Sequence, residues 1–378
     1  MKTDVVVIGG GLTGTACAWF LAREGAEVTL LEASDLNTQA SGTNAGSIHL
    51  QIPHPEFVNL GADWARAYAP SLRLLRASLD MWQALPDELG EDLDVKLAGG
   101  LVVATTDAQM RQIEQKSLIE RSVGVETDIL GRDDLRRIAP YLAPNAIGAG
   151  YCAQEGKANP LRATPALARA ARAAGAVIRT HSPVTGLQAR DGGYTVMTPD
   201  GPIHARRVVN AAGARAADIA AMLGLSVDLQ GFALQVTVTQ AMTPFIPHLV
   251  YSAAGKLSVK QAGNGTCLIG GGWAARSRAD GSLCVNPANL SGNLATAARV
   301  IPALAGVQTV RTWTAVVNGT SDWRPIIGEA PGHRGFFLAL FPWMGFTAGP
   351  MTARLVADMV LGRPPRLSLE GISALSDG

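Results

Sequence analysis

An α/β fold, of the mixed α+β kind with two domains, is predicted by three features of the chain. The run Val5-Val6-Val7-Ile8 is continuously apolar, as a central parallel strand buried on both faces requires. It leads straight into Gly9-Gly10-Gly11-Leu12-Thr13-Gly14, a G-x-G-x-x-G between a strand and a helix. From about residue 223 to 317 the pattern changes to short strands split by glycine turns, which reads as an antiparallel sheet inserted into the first domain.

Each part of the opening unit has a physical reason. Gly9 permits the tight turn, Gly11 lets backbone approach a pyrophosphate, and Gly14 lets the helix pack on the strand. The helix is expected over residues 12–24, with Gly25 as its stop. Its amino-terminal N–H groups, those of Leu12 and Thr13 included, favour a phosphate. A second strand over residues 27–31 ends at Glu32, beside Ala33, where a carboxylate accepts hydrogen bonds from a ribose diol. The β-α-β unit is therefore Rossmann-like. Its spacing alone leaves NAD and FAD open. Residues 40–47, Ala-Ser-Gly-Thr-Asn-Ala-Gly-Ser, replace the next regular element. The backbone N–H groups of such a small, polar loop can wrap the far half of a larger dinucleotide.

Here the chain resembles the glycine oxidase, sarcosine oxidase and D-amino-acid dehydrogenase superfamily of FAD enzymes, which open with the same glycine motif, a Glu and a Ser-x-x-Asn-x-Gly loop. The resemblance implies non-covalent FAD. It assigns Gly9, Gly11, Leu12, Thr13, Gly14, Glu32, Ala33, Ser41, Thr43, Asn44, Ala45, Gly46 and Ser47 to the cofactor, together with Val184, Ala212, Gly213, Met344, Gly345, Phe346 and Thr347 further on. No cysteine stands where some sarcosine oxidases attach the flavin.

Later elements follow the same logic. Thr164 as N-cap and Pro165 at the first helical position predict a helix over 166–174, closed by Gly175. A strand over 177–180 follows. Segments 194–198 and 203–207 flank Pro199-Asp200-Gly201 and read as a hairpin. Residues 208–214 read as an apolar strand ending in small residues, explained either by the cofactor or by a crowded core. Strands are expected at 101–104, 235–239, 257–260 and 267–270. Thr320-x-Asp322-x-x-Pro325-x-x-Gly328 resembles a carboxy-terminal signature of the family, residues 335–340 its last strand, and 345–350 a loop leading into a helix over 350–361. The expected division places the Rossmann-like FAD-binding domain at 1–78, 146–222 and 318–378. The inserted antiparallel-sheet substrate domain takes 79–145 and 223–317, as in glycine oxidase and sarcosine oxidase.

Glu155-Gly156-Lys157-Ala158-Asn159-Pro160-Leu161, Lys260-Gln261, Gly270-Gly271-Gly272-Trp273 and Arg311-x-Trp313 narrow the resemblance to catalytic subunits of heteromeric dehydrogenases. The enzymes in question are opine dehydrogenase (opine oxidase) and D-hydroxyproline dehydrogenase. The implied activity is oxidation of a secondary amino acid beside a second subunit carrying an iron–sulfur cluster or a further flavin. A stand-alone amine or amino-acid oxidase and a non-enzymatic dinucleotide-binding module are the alternatives.

The chain also departs from the family. Val317-Asn318 stand where the family has an Arg-Pro that grips the substrate carboxylate, and Leu340-Phe341 replace a Gly-His pair. The remaining candidates each carry two readings. His49 is a hydrogen-bond donor or proton acceptor at the substrate, or a structural histidine; Gln51 is similar. Lys260 binds a carboxylate or is a solvated edge-strand lysine. Arg311 and Arg324 replace the missing arginine or lie on the surface. Trp343 and Met344 wall the pocket or simply pack.

Composition excludes other classes. Lys+Arg of 32 against Asp+Glu of 31 leaves a charge of +1, with no basic excess for nucleic acid. Cys17, Cys152, Cys267 and Cys284 are too dispersed to build a zinc or iron–sulfur site, so no metal is expected. No secretory signal or transmembrane run is read in the sequence. A cytoplasmic protein is expected, held if anywhere peripherally at the inner membrane through its electron acceptor.

Overall fold

The computed structural model describes residues 1–375. Among them are two eight-stranded sheets. The first runs in the order Ile326–Glu329, Phe336–Leu340, Gly201–Asn210, Lys2–Ile8, Val28–Leu31, Val177–Arg179, with Gly193–Thr198 and then Gly186–Arg190 branching from Gly201–Asn210. Its centre is parallel, with Val7 registered between Val209 and Leu30. Val6 and Val7 are wholly buried, because helices cover one face and a second apolar layer the other. Helix Leu12–Arg23 packs against Pro160–Ala173 and Gly345–Val360, so the amino-terminal turn and the carboxy-terminal helix meet. The hairpin Gly193–Thr198 and Gly201–Asn210 forms as expected, with Gly201 at φ +107° after the turn.

The second sheet has the order Thr309–Gly319, Gln230–Ala241, Thr266–Gly270, Gly255–Gln261, Leu249–Ser252, Gly100–Ala104, Gly148–Cys152, Asp128–Gly131. It is antiparallel except where Leu249–Ser252 pairs parallel with Gly100–Ala104. Gly148–Cys152, expected with the first domain, belongs here. Its five-residue antiparallel ladder with Gly100–Ala104 decides the placement, and Gly-Ala-Gly-Tyr-Cys has no hydrophobic period that would announce it.

Three boundaries differ from expectation. The helix expected from Thr164 runs from Pro160 to Ala173, capped by Asn159, whose side chain accepts from the Leu161 N–H at 3.0 Å. The same cap-plus-proline signal occurs one turn earlier, and Pro165 is tolerated inside the helix. The last helix begins at Gly345, not Pro350. Residues 208–214 stop being a strand at Asn210, and Gly213 at φ +55° opens a helical turn.

Candidate active site

The glycine turn is built backbone against backbone. A side chain on Gly9 (φ +111°) would lie 2.5 Å from the Ala211 carbonyl oxygen, and one on Gly14 would lie 1.9 Å from that of Gly9. A side chain on Gly11 would meet Ser41 Oγ at 2.8 Å. Gly11 is thus pressed on by the second loop. Ser41 Oγ accepts from the Leu12 N–H at 2.9 Å, tying that loop to the helix start. Glu32 is fixed at the end of its strand by the Gly10 N–H at 2.6 Å and the Ser34 N–H at 2.9 Å. Beside it, Val184 and Ala212 pack on the apolar layer that contains Ile8 and Leu31.

The second loop holds its own shape. Residues 40–43 make one helical turn, and Asn44 Oδ1 accepts from the Gly46 N–H at 2.6 Å while its amide donates back to the Ser41 carbonyl at 2.5 Å. The Thr43 carbonyl accepts from Trp313 Nε1 at 2.6 Å, which anchors the loop to the second sheet. On the opposite side Thr347 Oγ1 accepts from the His49 N–H at 2.9 Å, and the Thr347 carbonyl accepts from Ser78 and Trp82. Residues 345–347 are therefore braced at a helix amino terminus facing Ser47 and His49. An elongated crevice with glycine-floored turns at one end and a helix terminus at the other suits a flavin dinucleotide. That terminus favours negative charge.

Between these loops and the second sheet lies a cavity of about 300 Å³. Its floor is apolar: Leu234 and Val236 from one strand, and Trp313, Ala315 and Val317, at every second residue, from its neighbour. Val317, where the resemblance leads one to expect an arginine, lines the cavity. Neither Arg311 nor Arg324 replaces it. Arg311 is exposed, Arg324 donates to the Ser373 carbonyl, and neither lines the cavity.

The cavity wall is polar but largely uncharged. His49 Nδ1 and the Tyr251 hydroxyl are 2.5 Å apart. Burial, and then the charge of Lys260, push His49 down to about 3, while burial pushes Tyr251 well above its ordinary value. Lys260 is 1% exposed in the middle of the sheet and donates to Ser47 Oγ, so it is no edge-strand lysine. Burial, then Lys157, lower it to about 7. Trp343, at φ +60°, stacks on Trp323 at 5.0 Å and leans on Phe232 at 4.4 Å. It lines the cavity, and so does Met344, whose sulfur accepts from the Tyr68 hydroxyl at 3.2 Å.

Several contributors have roles that no local spacing in the sequence announces. Glu155, wholly buried, takes the Leu50 and Gln51 N–H groups at 2.6 and 2.8 Å and the Gln51 amide at 3.0 Å. Lys116 and Glu120 form a buried ion pair that touches Gln51 and the Ile52 N–H. Tyr251 and His54 line the cavity. These groups come from segments 65 to 202 residues apart, and no local spacing links them. Among the described residues no grouping of His, Cys, Asp and Glu is suited to a metal.

Known proteins share this architecture. The chain is 29% identical to an opine oxidase subunit of Rhizobium meliloti over 347 residues, covering 89% of this chain and 88% of that one. It is 27% identical to sarcosine oxidase subunit beta of the same species (strain 1021), over 96% of this chain and 85% of the other. The crystal structure of glycine oxidase from Geobacillus kaustophilus superposes with a TM-score of 0.85 at 26% identity, covering 98% of both chains. Residues 4–359 match the DAO family, described as FAD dependent oxidoreductase. Strand, glycine turn, crevice and cavity thus belong to an FAD-dependent amino-acid oxidoreductase, and the chain is a member of the DAO family.

Proposed function

We propose that the protein is the catalytic subunit of a hetero-oligomeric dehydrogenase that oxidises the C–N bond of a secondary amino acid, an opine or D-hydroxyproline. The observation that carries this reading is the apolar-floored cavity between the flavin-side loops and the second sheet, with Val317 on its lining in place of the arginine that the resemblance leads one to expect. When bound, FAD supplies a two-electron acceptor that takes a hydride from the substrate α-carbon at N5. The chain prepares the substrate. Buried Lys260 and the apolar floor disfavour an ammonium, so the amine is held unprotonated with the lone pair that drives hydride loss. His49 and Tyr251, both neutral, orient it by hydrogen bonds, and Trp343 and Met344 exclude water.

Two relatives are named as subunits, which supports an assembly with a second chain that carries the electrons onward on an iron–sulfur cluster or a further flavin. The four cysteines here are free and dispersed, in keeping with that division of labour. No described helix is long and apolar enough to cross a membrane. We place the protein in the cytoplasm or peripherally at the inner membrane. Purified protein is expected to be yellow, and its flavin band to bleach anaerobically with an opine or D-hydroxyproline. Intact flavin that no amino acid reduces would overturn the reading. The likeness to glycine oxidase over 98% of both chains favours a second reading, a stand-alone oxidase. Peroxide release by the isolated chain as fast as dye reduction would select it.

A further inference from the structure

The cavity extends well beyond the place where a C–N bond would meet the flavin. Lys256, Ser258 and Lys260 alternate along strand Gly255–Gln261 and so share one face of the sheet. Lys260 lies behind the flavin end and outside the cavity lining, where it donates to Ser47, which does line the cavity. Lys256 lies four residues away, about 13 Å along an extended strand, and it still lines the cavity. A substrate as small as sarcosine cannot reach from one lysine to the other.

At the Lys256 end the start of helix His54–Tyr68 contributes His54 and Glu56. His54 is only 3% exposed, and neither ring nitrogen has a hydrogen-bond partner. Buried polar groups are rarely left so, since each loses its water without compensation. The polar groups beneath it are already committed: Lys116 to Glu120 and Gln51, and Glu120 also to the Ile52 N–H and Thr127. The cavity is what remains for the imidazole to address. Burial pushes its pKa down to about 4, so the ring is neutral and offers one N–H and one lone pair. Glu56 is half-buried; burial raises its carboxyl, while its own backbone N–H and nearby Lys256 hold it down. One end of a largely uncharged cavity therefore gathers a cation, an anion and an unpartnered neutral donor.

We propose that His54, Glu56 and Lys256 form a second subsite, for the zwitterionic amino-acid head on the distal arm of the substrate; this rests on the amine-oxidising reading above. Lys256 and the His54 N–H donate to the distal carboxylate, and Glu56 accepts from the distal ammonium. Leu234, Val236 and Ala315 cover the aliphatic chain between the two ends. Of the two substrates proposed above, the subsite selects the longer, opine-like one over hydroxyproline: a secondary amine that joins a carboxyalkyl group to an amino acid through its side chain.

The holoenzyme tests this with two secondary amines: sarcosine, which lacks a distal head, and N6-carboxymethyl-lysine, which bears an amino-acid head at the end of a butyl chain. Perturbation of the oxidised flavin spectrum reads binding, and anaerobic bleaching reads turnover. Wild-type protein is expected to bind N6-carboxymethyl-lysine more tightly. His54→Phe, Glu56→Gln and Lys256→Met are each expected to raise its Kd at least tenfold more than that of sarcosine. Equal effects on both ligands, or no spectral response to N6-carboxymethyl-lysine, would overturn the subsite. Binding with the expected pattern but no bleaching by any secondary amine would overturn the amine-oxidising reading and leave the subsite standing.

Discussion

Gly11 illustrates how one residue constrains both halves of the cofactor crevice. Its missing side chain leaves room for Ser41 Oγ, which would otherwise sit 2.8 Å from a β-carbon, and for a dinucleotide beside the helix start. Gly11→Val is therefore expected to abolish flavin retention, read as the flavin-to-protein absorbance ratio after gel filtration. Normal occupancy would mean that the phosphates lie elsewhere. His54 makes a different demand, through protons. Its folded pKa of about 4 lies below the ordinary 6.5, so the unfolded chain takes up a proton first as the solution is acidified. Folding stability from this group is intact above pH 6.5 and is lost progressively as pH falls toward 4. At pH 4.5 the loss amounts to about 2 kcal/mol. Denaturant titrations at pH 7 and 4.5 should show that acid-linked loss shrink by a similar amount in His54→Phe. An unchanged pH slope would show that the imidazole is not buried as described. His49 titrates in the same sense in both proteins and cancels in the comparison.

At the scale of elements, the sequence discloses what local chemistry controls. Val5–Ile8, the glycine turn and the following helix lie where hydrophobic run, motif and stop signal put them, because each depends on residues within one turn or strand of itself. Sequence reasoning stumbles where two signals of one kind compete. Asn159-Pro160 and Thr164-Pro165 both spell a helix start, and the structure uses the earlier. Asn159→Ala is expected to cost about 1 kcal/mol by thermal or urea unfolding. Thr164→Ala should cost less, because the Thr164 hydroxyl is buried without a partner. Reversed costs would restore the later start. Long-range partnership is the other blind spot. Lys260 reads equally as a carboxylate ligand and as an edge-strand lysine, because nothing near it in sequence says that Ser47, 213 residues away, receives its hydrogen bond. Tyr251 against His49, and Glu155 against Gln51, are hidden for the same reason. The flavin-side loops are legible because backbone geometry demands glycine and small polar residues there. The substrate side is made of side chains that only the folded sheet brings together.

The whole molecule is two sheets with a crevice running along one and a cavity against the other. Among the contacts that tie its loops down are Ser41 on the first helix, Trp313 on the Thr43 carbonyl, Lys260 on Ser47, and Thr347 on the His49 backbone. Each ends on a loop that faces the crevice, so a ligand lying along it adds contacts to both sheets and to the last helix at once. A ligand bound only by the folded chain stabilises it by mass action, about 2.7 kcal/mol when free FAD exceeds its Kd a hundredfold. Unfolding entropy scales with chain length, so for a protein of this size that is a rise of roughly 3 °C in Tm. Stripping the flavin and restoring it in such excess should therefore move the whole transition, as one step, in both near-ultraviolet and far-ultraviolet circular dichroism. If only part of the transition moved, FAD would be stabilising the first sheet alone, and the second would unfold independently of it. An unmoved transition would mean that the crevice does not hold the dinucleotide, and the assignment of Gly9 through Ser47 and Met344 through Thr347 to FAD would fall with it.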